Sequence, residues 1–126
     1  RRARVGAAMT APLSVLVVDD SEDQRELLRT HLERAGCRVH AIGDGQTLEA
    51  AVERCAPDVA IVDLLMPSAD GWSVLETLRR RHPEMTVVIA SVLDESQYPE
   101  SDDTLPKPYS GAHVRALVSR LEAARA

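Results

Sequence analysis

Three short aliphatic runs in this chain each stop at a polar residue able to carry chemistry, and this pattern limits the fold more than any other feature. Leu13 to Val18 runs almost unbroken into Asp19-Asp20-Ser21, Val59 to Val62 ends at Asp63, and Thr86 to Ala90 ends at Ser91. Continuous aliphatic runs of this length belong to strands buried on both faces, as in a parallel sheet covered by helices. Helical periodicity fills the gaps. Acids at Glu22 and Asp23 open a helix whose face is Leu28, Leu32 and Ala35, with Gly36 as its stop. A second helix is expected from about Gln46 to Cys55, ended by Pro57, and a third carries Val74, Leu75 and Leu78 up to His82-Pro83. Ser110 caps a last helix with the face Val114, Leu117, Val118 and Leu121. Arg38 to Ile42 alternates like a strand nearer the edge. Thr104-Leu105 forms at most a very short strand, since Pro106 is tolerated only at an edge or a strand end. Strands alternating with helices predict an α/β fold with one parallel sheet.

The length of 126 residues suits one domain, expected over residues 13–125 behind a loosely held tail, residues 1–12. With aromatics at 2%, its core has to be aliphatic. A net charge of -5 argues against nucleic-acid binding, and no apolar run approaches the roughly eighteen residues of a membrane span. Cys37 and Cys55 stand far apart and without metal-ligand spacing, so they read as small buried hydrophobes in a reducing cytoplasm. The opening RRARVGAAMTAP lacks the apolar stretch of a secretory signal, and Met9 is a candidate initiator.

In an open α/β sheet, ligands bind at the carboxyl ends of the strands. Here those ends carry Asp19 and Asp20, Asp63, Ser91 and, after the last short strand, Lys107. Converging carboxylates repel one another, and a hard divalent cation such as Mg²⁺ relieves that repulsion. One carboxylate is then free to act as nucleophile toward a phosphoryl donor, with an ammonium and a hydroxyl to neutralise the transferred oxygens. Taken singly, each residue has a plainer role. Asp19, Asp20 and Glu22 serve as helix-start acids, Asp63 as a helix cap and Ser91 as a strand-end hydroxyl. Asp70-Gly71 reads as a turn and helix start, Trp72 as packing, and the histidines at 31, 40, 82 and 113 as surface residues.

The pieces VLVVDDSE, DLLMPSADGW, VVIAS and KPY, in that order from Val15 to Tyr109, resemble the receiver domain of bacterial two-component response regulators over about Leu13 to Ala124. The resemblance implies a flavodoxin-like, doubly wound, five-stranded parallel sheet. It implies Asp63 as phospho-acceptor from a sensor histidine kinase or a histidine phosphotransfer protein, and Mg²⁺ as cofactor. Asp20 would ligate the metal directly, Asp19 mostly through water, and Leu65 through its backbone carbonyl, with Asp63 completing the set. Lys107 and Ser91 would contact the phosphoryl oxygens, and Lys107-Pro108 would be cis. No nucleic acid or membrane is implied, a weak homodimer is allowed, and catalysis is limited to the chain's own phosphorylation and dephosphorylation.

The chain departs from that family between Ser91 and Thr104. Twelve residues with five acids and Pro99 connect them, too few and too polar for a full amphipathic helix. A fourth helix absent or reduced to a turn is therefore expected there. Thr104 stands where the family usually has an aromatic switch, and Val92 where it has a smaller residue. Output would then use another surface, with Val92 to Asp103 as an order–disorder element. Leu65 and Leu93 offer no group to orient a hydrolytic water, which implies slow self-dephosphorylation. Leu65 in place of a second aspartate also argues against a hydrolase. The alternative to phospho-acceptance is a phosphorylation-independent pseudo-receiver that docks proteins. Of fifteen basic side chains, the single lysine is Lys107, at the one place where the mechanism asks for a compact ammonium.

Overall fold

A computed structural model describes residues 11–66 and 71–125. Five strands, β1 (Ser14–Val18), β2 (Arg38–Ile42), β3 (Val59–Asp63), β4 (Thr86–Ala90) and β5 (Asp103–Thr104), form one parallel sheet in the order β2-β1-β3-β4-β5. This is the doubly wound order expected. Among the described residues four α-helices connect or follow them: α1 (Glu22–Arg34), α2 (Leu48–Cys55), α3 (Gly71–Arg81) and α4 (Gly111–Arg125).

Because strand side chains alternate between faces, the aliphatic runs split into two cores. Val15, Val17, Val59, Ile61, Val88 and Ala90 meet the buried faces of α1 and α4. Leu16, Val18, Ala60, Val62, Val87 and Ile89 meet α2 and α3. A sheet with helices on both faces has no water-facing side, which is why its central strands carry no polar alternation.

Local signals set the element ends. Ser21 caps α1 by accepting from the Gln24 N–H at 3.3 Å, and Gly36 leaves that helix region at φ 92°, a conformation a side chain would resist. The second helix starts two residues later than expected. The Asp44 carboxylate accepts from the N–H groups of Gln46 and Thr47, at 2.9 and 3.1 Å, and holds these two residues in a turn. Ser110 caps α4 reciprocally with His113: the His113 N–H donates to Ser110 Oγ, and the Ser110 N–H to His113 Nδ1.

Between β4 and β5 the chain makes a single 3-10 turn, Glu95–Gln97, in place of an α-helix. Asp94 caps it, and nothing in the segment supplies a 3.6-residue apolar stripe to hold a longer helix on the sheet. Two readings of the sequence need correction. Trp72 is not packed away, being 43% exposed: as the second residue of α3 it stands at the margin of the buried face formed by Gly71, Val74, Leu75 and Leu78. Of the histidines only His113 is fully exposed: His82 is partly buried beside Glu49 at 3.1 Å, and His31 lies edge-on to Tyr109. Cys37 is buried and Cys55 half-buried, both as free thiols. Apart from Ala11 and Pro12, the expected tail lies outside the described residues, as does Asp70.

Gly71 starts α3 directly under the end of β3. A Cβ there would lie 2.1 Å from the Asp63 carbonyl oxygen and 2.6 Å from Leu64 Cα, both backbone atoms that have no room to yield. Gly71→Ala is therefore expected to destabilise the chain by about 3 kcal/mol in urea denaturation, near the upper end for overpacking. A loss below about 0.5 kcal/mol, the size of an ordinary surface change, would show that α3 shifts without strain.

Candidate functional site

The sheet register builds the site. Val18 pairs with Val62, and Asp63 with Ala90, so the next residues out of β1, β3 and β4 are drawn to one edge of the sheet. Asp19, Asp63 and Ser91 are the buried polar residues of the described chain, at 5%, 7% and 0% exposure. Lys107 reaches them from beyond β5. Its backbone N–H donates to the Ser91 carbonyl at 2.9 Å, and the Lys107-Pro108 bond is cis.

The Lys107 ammonium lies between two carboxylates, donating to Asp19 Oδ2 at 2.8 Å and to Asp63 Oδ2 at 3.2 Å. The other oxygen of each carboxylate is pinned by backbone. Asp19 Oδ1 accepts from the Ser21 N–H at 3.0 Å, and Asp63 Oδ1 from the Leu65 N–H at 3.0 Å. Both are turns in which a side chain satisfies the amide two residues on, so each strand end orients its own acid. Asp20 sits partly exposed at the rim, and the Leu65 side chain is 45% exposed.

Burial raises the Asp63 carboxyl above its ordinary value. The Leu65 amide and the Lys107 ammonium pull the other way, and the neighbouring Asp19 charge adds to the rise. One ammonium thus serves two buried carboxylates, with the partly exposed Asp20 beside them. The donors are oxygens, the set a hard cation prefers over Zn²⁺ or Cu²⁺. Among the described residues no three His, Cys, Asp or Glu side chains form a preassembled cage.

Sequence reasoning missed two contacts at this site. The Arg25 guanidinium, one turn into α1, donates to the Asp19 carbonyl at 2.8 Å and braces the acidic pair from behind. The Tyr98 hydroxyl donates to the Ser91 carbonyl at 2.8 Å from a segment without periodicity. Arg25 was findable as a residue six positions after Asp19 on the first turns of a helix; Tyr98 gave no local signal. Tyr109 lies near enough for burial, then Asp19 and Asp63, to push its hydroxyl up to about 12.

Burial of the Asp63 carboxylate has a measurable cost. Because the folded chain holds the Asp63 proton more tightly than the unfolded chain, stability falls as pH rises from 3.8 through the raised value. Asp63→Asn lacks this loss. At pH 7 and without divalent cations the variant is expected to be the more stable, with the difference vanishing in acid, as followed by thermal melts across pH. A less stable variant at pH 7 would mean that the Lys107 pairing outweighs burial.

The matches with known proteins agree with this geometry. The model of the response regulator receiver domain family matches residues 15–119. The transcriptional activator protein PfeR of Pseudomonas aeruginosa is 37% identical over 113 residues, covering 85% of this chain and 37% of that protein. The probable transcriptional regulatory protein TcrX of Mycobacterium tuberculosis is 32% identical over 118 residues, covering 89% of this chain and 49% of that protein. The chain thus spans about half or less of the length of these curated relatives. Among solved structures, the Francisella response regulator 1452 receiver domain has a TM-score of 0.79 at 30% identity, covering 92% of this chain and 100% of that one. NtrX from Brucella abortus, at 24% identity and a TM-score of 0.80, shares the fold over 90% of this chain and 28% of that one. Sheet order, strand-end acids and these matches together place the chain in the response regulator receiver domain family.

Proposed function

We propose that this receiver domain accepts a phosphoryl group on Asp63 from the phosphohistidine of a sensor kinase or phosphotransfer protein, in the cytoplasm. The observation that carries the reading is the buried Asp19–Lys107–Asp63 arrangement, one ammonium shared by two carboxylates. A structural ion pair needs one acid; a second buried acid on the same ammonium costs stability and points to a site that takes up a cation or changes its charge.

In the transfer, an Asp63 oxygen forms a bond to phosphorus as the phosphorus–nitrogen bond to the donor imidazole breaks, and the imidazole leaves with a proton. The Leu65 N–H holds Oδ1, which leaves Oδ2 facing Lys107 and the incoming group. Lys107 then passes from the Asp63 carboxylate to a phosphoryl oxygen while keeping Asp19. Ser91, at the end of the neighbouring strand, donates its hydroxyl to a second phosphoryl oxygen. Asp20, Asp63 and the Leu65 carbonyl would hold Mg²⁺, with Asp19 reaching it through water. When bound, Mg²⁺ supplies the positive charge that the carboxylates and the phosphoryl oxygens require. The chain acts on no other substrate: it catalyses its own phosphorylation and dephosphorylation. A phosphorylation-independent docking role is favoured by one observation, the single 3-10 turn where signalling helices usually stand.

Incubation with Mg²⁺ and acetyl phosphate, read by intact mass, is expected to give a single phosphoryl adduct that is lost in Asp63→Asn. No adduct from acetyl phosphate or from a phosphorylated kinase would favour the docking role. Lys107→Arg is expected to retain most of the adduct but to lose the change in amide exchange that the adduct causes, since a guanidinium cannot follow one oxygen in so tight a pocket. Unchanged behaviour would return Lys107 to an architectural role. Leu65→Asn, which supplies a polar group beside the phosphoryl, is expected to shorten the adduct lifetime roughly tenfold, about 1.4 kcal/mol of barrier. An unchanged lifetime would reject the account of slow hydrolysis.

A further inference from the structure

The carbonyl oxygen of Ser91 accepts two hydrogen bonds, from the Tyr98 hydroxyl at 2.8 Å and from the Lys107 N–H at 2.9 Å. Both lone pairs of this oxygen are used, and Ser91 is fully buried. The hydroxyl of the same serine is engaged with the segment that follows: Ser91 Oγ accepts from the Leu93 N–H at 3.1 Å. Leu93 and the Tyr98 ring both pack against the core on the α2 and α3 side. Between them the 3-10 turn is closed by its own bonds, from the Ser96 N–H to Asp94 Oδ1 and from the Gln97 N–H to the Asp94 carbonyl. Thr104 Oγ1 adds a separate tether, donating to Glu95 Oε2 at 3.0 Å. Burial and the Glu95 carboxylate raise the Tyr98 hydroxyl above its ordinary value, and Asp63 adds to this, so Tyr98 stays a proton donor at physiological pH.

We infer that Tyr98 is a positioning residue for the phosphoryl group: through the Ser91 carbonyl it fixes the backbone from which Ser91 and Lys107 are aimed, and links both to segment 92–103. The inference rests on Asp63 being the acceptor. The Ser91 hydroxyl has a proton to donate to a phosphoryl oxygen beside the lone pair that accepts from the Leu93 N–H, and any rotation of Oγ toward the phosphoryl group is passed to the segment through that bond. The Tyr98 bond remains, so rearrangement is confined to Val92–Gln97 with Tyr98 as its fixed end. Val92 is 66% exposed and offers little resistance. An aromatic side chain in this segment thereby serves the site from a different place in the chain than position 104.

Tyr98→Phe removes the hydroxyl and keeps the ring; Thr104→Val loosens the same segment without touching Ser91. With Mg²⁺ and acetyl phosphate, the adduct is expected to form roughly tenfold more slowly in Tyr98→Phe, about 1.4 kcal/mol, and at the wild-type rate in Thr104→Val. Amide exchange at 93–97 is expected to rise on adduct formation in the wild type and in Thr104→Val, and to be fast and insensitive to the adduct in Tyr98→Phe. A wild-type rate and wild-type exchange response in Tyr98→Phe would overturn the inference while leaving Asp63 as acceptor. An equal slowing in Thr104→Val would overturn it as well, by showing that looseness alone is responsible. Absence of any adduct in the wild type would overturn the functional reading, and this inference with it.

Discussion

One ammonium shared between two buried carboxylates organises this molecule. Asp19 and Asp63 end neighbouring parallel strands in matched register, so the sheet cannot form without bringing their charges together. The Asp19 charge adds to the rise of the Asp63 carboxyl and Lys107 pulls it down more strongly, so what remains uncompensated is chiefly the burial of the carboxylate itself. The lysine is delivered by a strand of two residues, held at its backbone by the carbonyl of the next polar residue along the sheet edge, Ser91. Four strands therefore converge on one electrostatic problem, and the helices serve mainly to keep the sheet dry on both faces.

Much of this was legible from residue order. The aliphatic runs give β1, β3 and β4 because a strand buried twice has no polar alternation to confuse it with a surface element. The strand-end acids follow, since a doubly wound sheet exposes only those ends. Asp44 shows where such reading fails: its carboxylate competes for two amides and delays a helix that periodicity alone would start earlier. Trp72 shows another failure, because its hydrophobicity favours burial while its place at the margin of the helix's buried face leaves it exposed. At the site, residue types and their strand-end positions were readable. The sharing of Lys107 and the hydroxyl of Tyr98 were not, since contacts across 88 residues, or from an aperiodic loop, leave no local trace.

The segment between β4 and β5 is often where such sheets carry a helix, and its loss here is compensated by side chains. Asp94 caps the 3-10 turn, Thr104 reaches Glu95, and the Asp102 carboxylate accepts from the Val87 N–H at 2.8 Å. Acids that look on paper like a solvated run are thus partly committed to backbone. They replace the regular hydrogen bonding of a helix with individually placed bonds, each worth about 1 kcal/mol, which makes the segment ordered yet inexpensive to open.

The outer sheet edge at β5 has a consequence for how the chain meets other molecules. A strand of two residues offers little backbone to pair with, and local side chains engage part of it. The Asp103 carbonyl accepts from Ser101 Oγ, the Thr104 N–H donates to the Asp103 carboxylate, and that carboxylate also holds Arg120 in a two-pronged bond. Such an edge resists extension by a foreign strand. Crowded copies of this chain are thereby protected from ribbon-like stacking on that side, and recognition there has to be read from side-chain shape and charge.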